Sequence, residues 1–253
     1  ARRNGGGIYA RNALLYLRTA YLQNNHAYGS GGGIYAVNSS IEARDTIIGR
    51  DYGGEPRGNR AVVDGAGVFL DSSTASFTSV RMEHNIADDD GGGIYLTGTS
   101  GLHATNSVFV RNEAGTGAGH RGGALCALGG SPSVVLDTCQ VLTNSAGDEG
   151  GGIYWSVSGP LTLRRGTLVQ RNRAGDHGGG IYAGAGVVLC HDSNLRANAA
   201  DFDGDGVGSG GALYLTGNAY GTIASHTRDV LVRDNSALNG GACCVTNGAT
   251  LTV

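Results

Sequence analysis

Three groups of side chains in this 253-residue chain have types and spacings suited to chemistry. The first is a row of ionisable residues that recurs just ahead of glycine-rich strings: Asp89-Asp90, His120-Arg121, Asp148-Glu149 and Asp176-His177, with Asp64 one repeat earlier. Closely spaced carboxylates alternating with His and Arg are what glycoside hydrolysis or uronate lysis needs. One carboxyl with a raised pKa donates a proton, while a second carboxylate or a bound Ca²⁺ handles the opposite charge. Asp90, Glu149, Asp176 and His177 are the catalytic candidates. Solvated turns linked by cross-repeat ion pairs, each worth about 0–1 kcal/mol, give the same pattern without catalysis, and that is the preferred reading.

The second group is aromatic. Tyr9, Tyr35, Phe69, Tyr95, Tyr154, Tyr182 and Tyr214 each follow an aliphatic residue in the same short string. Their neighbours on both sides are apolar at a spacing of two, so the aromatic rings should face outward. Tyr95, Tyr154, Tyr182 and Tyr214 are candidates for stacking on sugars or packing on another protein. Mutual stabilisation of neighbouring strands explains them without a ligand, and that is the preferred reading. The third group is Asp201, Asp203, Asp205 and Gly206, which match positions 1, 3, 5 and 6 of a calcium loop. Ala212 stands where that loop needs its bidentate acid, so a solvated Asp-Gly turn is the preferred reading; calcium is a candidate ligand at Asp201, Asp203 and Asp205, and no cofactor is required.

The elements that carry these groups repeat. A Gly-Gly-(Gly/Ala)-aliphatic string places its aliphatic residue at Ile8, Ile34, Val68, Ile94, Leu125, Ile153, Ile181 and Leu213, with Cys243 in the last copy. Between copies lies Asn-x-Ala, at Asn25, Asn59, Asn85, Asn112, Asn144, Asn172, Asn198 and Asn235. An apolar residue sits three positions before most of these asparagines, and a small or β-branched one five before. Apolar pairs spaced by two, such as Leu161/Leu163, lie further upstream. Each repeat therefore holds three short alternating segments separated by turns, which are strands. A propeller blade needs about 40 residues and four strands, more than these repeats provide. The pattern predicts an all-β parallel β-helix of about eight to nine coils and three parallel sheets, a single domain over residues 1–253. Variable spacing falls in turns, as in the insertion at residues 52–58, because a strand that slips turns its apolar face outward.

In such a helix the asparagines stack into a ladder at one corner, and the glycines serve tight bends where a Cβ does not fit. The 47 glycines, with three prolines and no Gly-X-Y period, exclude collagen. A net charge of −3 argues against a nucleic-acid binder, although every one of the 18 basic residues is arginine. No apolar run reaches the length of a membrane span. The five cysteines, an odd number without a Cys-x-x-Cys pair, read as core residues.

"FVRN" (residues 109–112) and Gly-Gly-Ala-Leu (residues 122–125) resemble the FxxN and GGA(I/L/V) repeats of chlamydial polymorphic outer-membrane proteins. The resemblance implies a right-handed parallel β-helix from the passenger region of a bacterial secreted or cell-surface adhesin or autotransporter-like protein. The recurrent tyrosine departs from that pattern. The bare strand edges expected at both ends suggest a fragment of a longer protein and self-association, end to end or side by side. The expected function is thus a non-catalytic rigid scaffold whose partners are a polysaccharide or a host or cell-surface protein. A polysaccharide-active enzyme is the alternative.

Overall fold

The computed structural model describes residues 3–52, 55–56, 58–227 and 229–253, with only the backbone for residues 51, 52, 55 and 56. The chain is a parallel β-solenoid of about 8 turns with three parallel sheets and, among the described residues, no helix. The largest sheet has 16 strands in two rows. One row follows the glycines (Ile34–Val37, Ile94–Thr97, Leu125–Leu128) and the other carries the apolar pairs (Ser40–Arg44, Gly101–Thr105, Ser133–Asp137). Two long strands, Ile153–Arg164 and Ile181–His191, run through both rows and join them, where a turn had been expected. An eight-stranded sheet holds the segments before the asparagines, such as Val108–Val110. A six-stranded sheet of two-residue strands such as Glu113–Ala114 lies just after them, a fourth segment that the sequence pattern did not separate.

Like residues stack on like. Ile94 pairs with Leu125 and Leu125 with Ile153, while Met82, Phe109 and Val141 form a second column. These columns merge into one continuous core that includes Ala10, Trp155 and Ile223. Trp155 is wholly buried, and its indole N–H donates to the Gly159 carbonyl at 3.0 Å. Each fully buried Ile or Leu contributes about 1.5–3 kcal/mol relative to exposure, so a register slip that moved one column outward would forfeit many such terms at once.

The bends have a shared backbone solution. Gly91 opens its triplet at φ +66°, and a Cβ on the next residue, Gly92, would collide with the Glu113 carbonyl one coil away. Elsewhere non-glycine residues take the left-handed region, among them Ser79, Asn106 and Thr138 just before a corner. The small residues after them form a hydroxyl ladder, a role that their spacing from the asparagines does not disclose. The Val80 N–H donates to Ser107 Oγ and the Cys139 N–H to Thr167 Oγ1, both at 3.1 Å. Ser39, Ser73 and Ser100 do the same at another corner.

The asparagine ladder is continuous from Asn25 to Asn235. Asn144 represents its inner members. Its Nδ2 donates to Asn172 Oδ1 at 2.9 Å and to the Phe109 carbonyl at 3.1 Å. Its Oδ1 accepts from the Asn112 backbone N–H at 2.9 Å and from Asn112 Nδ2 at 3.0 Å. Every polar atom of a wholly buried amide is thereby satisfied. Of the insertion at residues 52–58, residues 53, 54 and 57 lie outside the described residues. Asp51–Tyr52 pairs antiparallel with Glu55–Pro56.

Candidate functional site

The ionisable row and the aromatic row stand side by side, as their spacing predicts, because both flank the same glycine bend. The rings form a stack. Tyr9, Tyr35, Phe69 and Tyr95 succeed one another with centroids 4.8–5.4 Å apart. Cys126 interrupts the stack, and Tyr154, Tyr182 and Tyr214 resume it at 4.9 and 5.3 Å. The rings face away from the core, but stacking buries their faces. Tyr154 is only 5% exposed and Phe69 9%, Tyr95, Tyr182 and Tyr214 are half-buried, and Tyr9 at the end is 52% exposed. Burial pushes the Tyr154 hydroxyl up to about 12 and raises that of Tyr95 further. The column is therefore mostly edge and hydroxyl, a smaller surface than an outward stripe of tyrosines suggests.

Asp90 is the most buried acid of the ionisable row, and its carboxylate lies with those of Asp64 and Asp89 in one group. Burial pushes its pKa up to about 7, opposed by the Arg121 backbone N–H, which donates to Oδ1 at 2.7 Å. The neighbouring carboxylates of Asp89 and Asp64 raise it further. Asp89 Oδ1 lies 3.4 Å from His120 Nδ1. Arg121 stands between the rungs, its guanidinium 5.2 Å above the Tyr154 ring and its Nε 3.4 Å from Glu149 Oε2. Glu149 is raised by burial and by Asp148, and accepts a hydrogen bond from the Tyr182 hydroxyl. His177 stacks on Tyr214 at 4.5 Å, and burial lowers its pKa.

Asp176 joins a different group. Its carboxylate lies with those of Asp203 and Asp205, and burial together with Asp148 pushes its pKa up to about 6. The loop whose spacing matches a calcium loop contributes two of its three acids, Asp203 and Asp205, to this cluster. Asp201 is not among them, since its Oδ1 accepts from the Gly206 N–H at 3.1 Å. Sequence reading missed Asp176 as a neighbour because it lies on the preceding coil.

The insertion at residues 112–121 is pinned by the Gly119 N–H, which donates to Asp148 Oδ2 at 2.6 Å. It walls two hollows of about 330 Å³ beside Glu113, Gly115 and Thr116, not a cleft over the catalytic candidates. A larger hollow of about 560 Å³ lies by the asparagine corner, lined by Arg111, Arg171 and Arg173. None of these hollows is lined by Asp90, Glu149, Asp176 or His177. The basic hollow was missed because its residues are some sixty positions apart. Reading the position just before each ladder asparagine as one outward column would have found Arg111 and Arg171.

No curated protein and no solved structure matches the chain. Residues 1–109 match the family model described as a right handed beta helix region, so the chain is similar to that family over its first coils, and the likeness is one of fold.

Proposed function

We propose that the chain is a non-catalytic, rigid β-helical scaffold of a secreted or cell-surface protein, of adhesin or autotransporter-like type, that binds a polysaccharide or a cell-surface protein along its flank. The observation that carries this reading is how the ionisable row is engaged. Asp90 is held by the Arg121 N–H, Glu149 by Arg121 and Tyr182, and His177 by the Tyr214 ring. These are links between rungs. An active site instead needs two groups of separated pKa converging on an open cleft. The test is a reducing-sugar and unsaturated-uronate assay over a polysaccharide panel, with and without Ca²⁺. No turnover is expected. Turnover lost in Glu149→Ala would overturn the proposal.

One observation favours the alternative, a polysaccharide-active enzyme: a buried carboxyl at about 7 is suited to general-acid work near neutral pH. In that case turnover would vanish in Asp90→Asn while the fold persisted.

A further inference from the structure

His191 closes the strand Ile181–His191, and its partner in register on the next coil is Ala224, the last residue of Tyr220–Ala224. The single methyl group of Ala224 leaves room over the His191 ring, and the chain returns to that room two residues later. There the His226 ring lies beside that of His191, with centroids 4.9 Å apart and planes tilted by 58°.

A buried carboxylate holds the pair in place. Asp192 Oδ1 accepts from the His226 N–H at 2.7 Å and the Thr227 N–H at 2.9 Å, and Oδ2 accepts from Thr227 Oγ1 at 3.0 Å. The residue that follows one histidine thereby fixes the main chain of the other. Neither imidazole hydrogen-bonds to another described residue; His226 is exposed and His191 partly so. Arg164, the neighbour of His191 on the preceding coil, is tied to Asp137 Oδ2 at 2.9 Å on the side away from His191. Its charge is therefore not directed at the ring pair.

Neutral imidazole nitrogen is a good ligand for zinc, copper and nickel, whereas calcium and magnesium take oxygen. An ion held at about 2.0–2.1 Å by one nitrogen of each ring, at a tetrahedral angle, sets the ring centres about 5 Å apart. The observed 4.9 Å meets that spacing. The tilt matters as well, because imidazole lone pairs lie in the ring plane. Parallel stacked rings share no in-plane point, but planes tilted by 58° intersect, and an ion on that line is in plane with both.

We infer that His191 and His226 form a binding site for a divalent transition-metal ion of the zinc or nickel type, with water in the remaining positions. The site lies at a different corner from the ionisable row, whose carboxylates offer only oxygen, and it is independent of the scaffold reading.

The test is titration calorimetry of the untagged chain with Zn²⁺ and with Ni²⁺ at neutral pH. The variants are His191→Gln and His226→Gln, and the control is His103→Gln, an exposed histidine on the same sheet. Circular dichroism and Tm verify their folds. Zn²⁺ or Ni²⁺ should bind, and each variant should lose at least tenfold in affinity while the control does not. Binding should fade on acidification, since a protonated imidazole cannot ligate, and excess Ca²⁺ should not displace the ion. A second measurement needs no variant. In proton NMR, sub-stoichiometric Ni²⁺ should broaden the ring signals of His191 and His226 before those of the other histidines. Affinity undiminished in either variant, first broadening at another histidine, displacement by Ca²⁺, or no binding of either ion overturns the inference.

Discussion

Replacing Asn144 with alanine tests the ladder where it is most buried. The side chain makes four hydrogen bonds, two given and two received. Two losses are partly covered: Asn172 Oδ1 keeps the Asn144 backbone N–H at 3.0 Å, and the Phe109 carbonyl is an acceptor, which tolerates under-use better than a donor does. The Asn112 backbone N–H and one of its amide hydrogens lose their acceptor inside a dry corner. At about 1–3 kcal/mol for each orphaned buried group, the variant should lose about 4 kcal/mol. Asn25→Ala makes the contrast. That residue is half-buried and donates from Nδ2 to Asn59 Oδ1 at 2.8 Å, so water compensates and the loss should be about 1 kcal/mol. Urea unfolding of the two variants, with hydrogen exchange at the Asn112 amide, reads both numbers. If Asn144→Ala were as mild as Asn25→Ala, or the Asn112 amide stayed protected, the ladder would not be a main source of stability.

Further outcomes follow from the buried ionisable groups. Asp90 has a folded pKa of about 7 against an ordinary 3.8, so between those values the folded chain holds a proton that the unfolded chain has released. Stability therefore falls as pH rises from about 4 to 7 and then levels off. Asp90→Asn, which keeps an acceptor for Arg121, should raise Tm at pH 8, change it little at pH 4 and flatten that slope; an unchanged slope would refute the assignment. Of the five cysteines, Cys126, Cys139 and Cys190 are buried, and burial pushes the last two thiols up to about 11 and 12. A thiol-reactive dye should modify only Cys243 and Cys244 in the native protein and all five after denaturation. Cys139→Ser should cost less than about 1 kcal/mol, because the slot already belongs to a hydroxyl ladder and serine can donate to the Ala104 or Asp137 carbonyl as the thiol does. A loss comparable with that of Asn144→Ala would contradict that view.

The architecture was legible because solenoid stacking makes sequence period and spatial column the same thing. Ile94, Leu125 and Ile153 could be placed together from spacing alone, and the asparagines with them. What lay beyond reach were properties that depend on distance between rungs. Rings repeated every coil sit close enough to cover one another, so Tyr154 is buried although its strand position faces outward. Asp176 meets Asp203 and Asp205 only because the later loop folds back along the flank. The missing turn in Ile153–Arg164, shared with Ile181–His191 on the next coil, reflects strands that continue where the earlier coils bend, and nothing in their local residues signals that.

The amide chain running through the asparagine corner has a direction. Each inner member hands one amide hydrogen forward to the next coil's Oδ1, from Asn25 toward Asn235 without reversal, and gives the other to a carbonyl of the preceding coil. A two-fold axis across either terminus would set donor against donor or acceptor against acceptor. Continuation of this corner calls for a head-to-tail contact, which runs on as a filament or closes into a ring and never forms a two-fold pair.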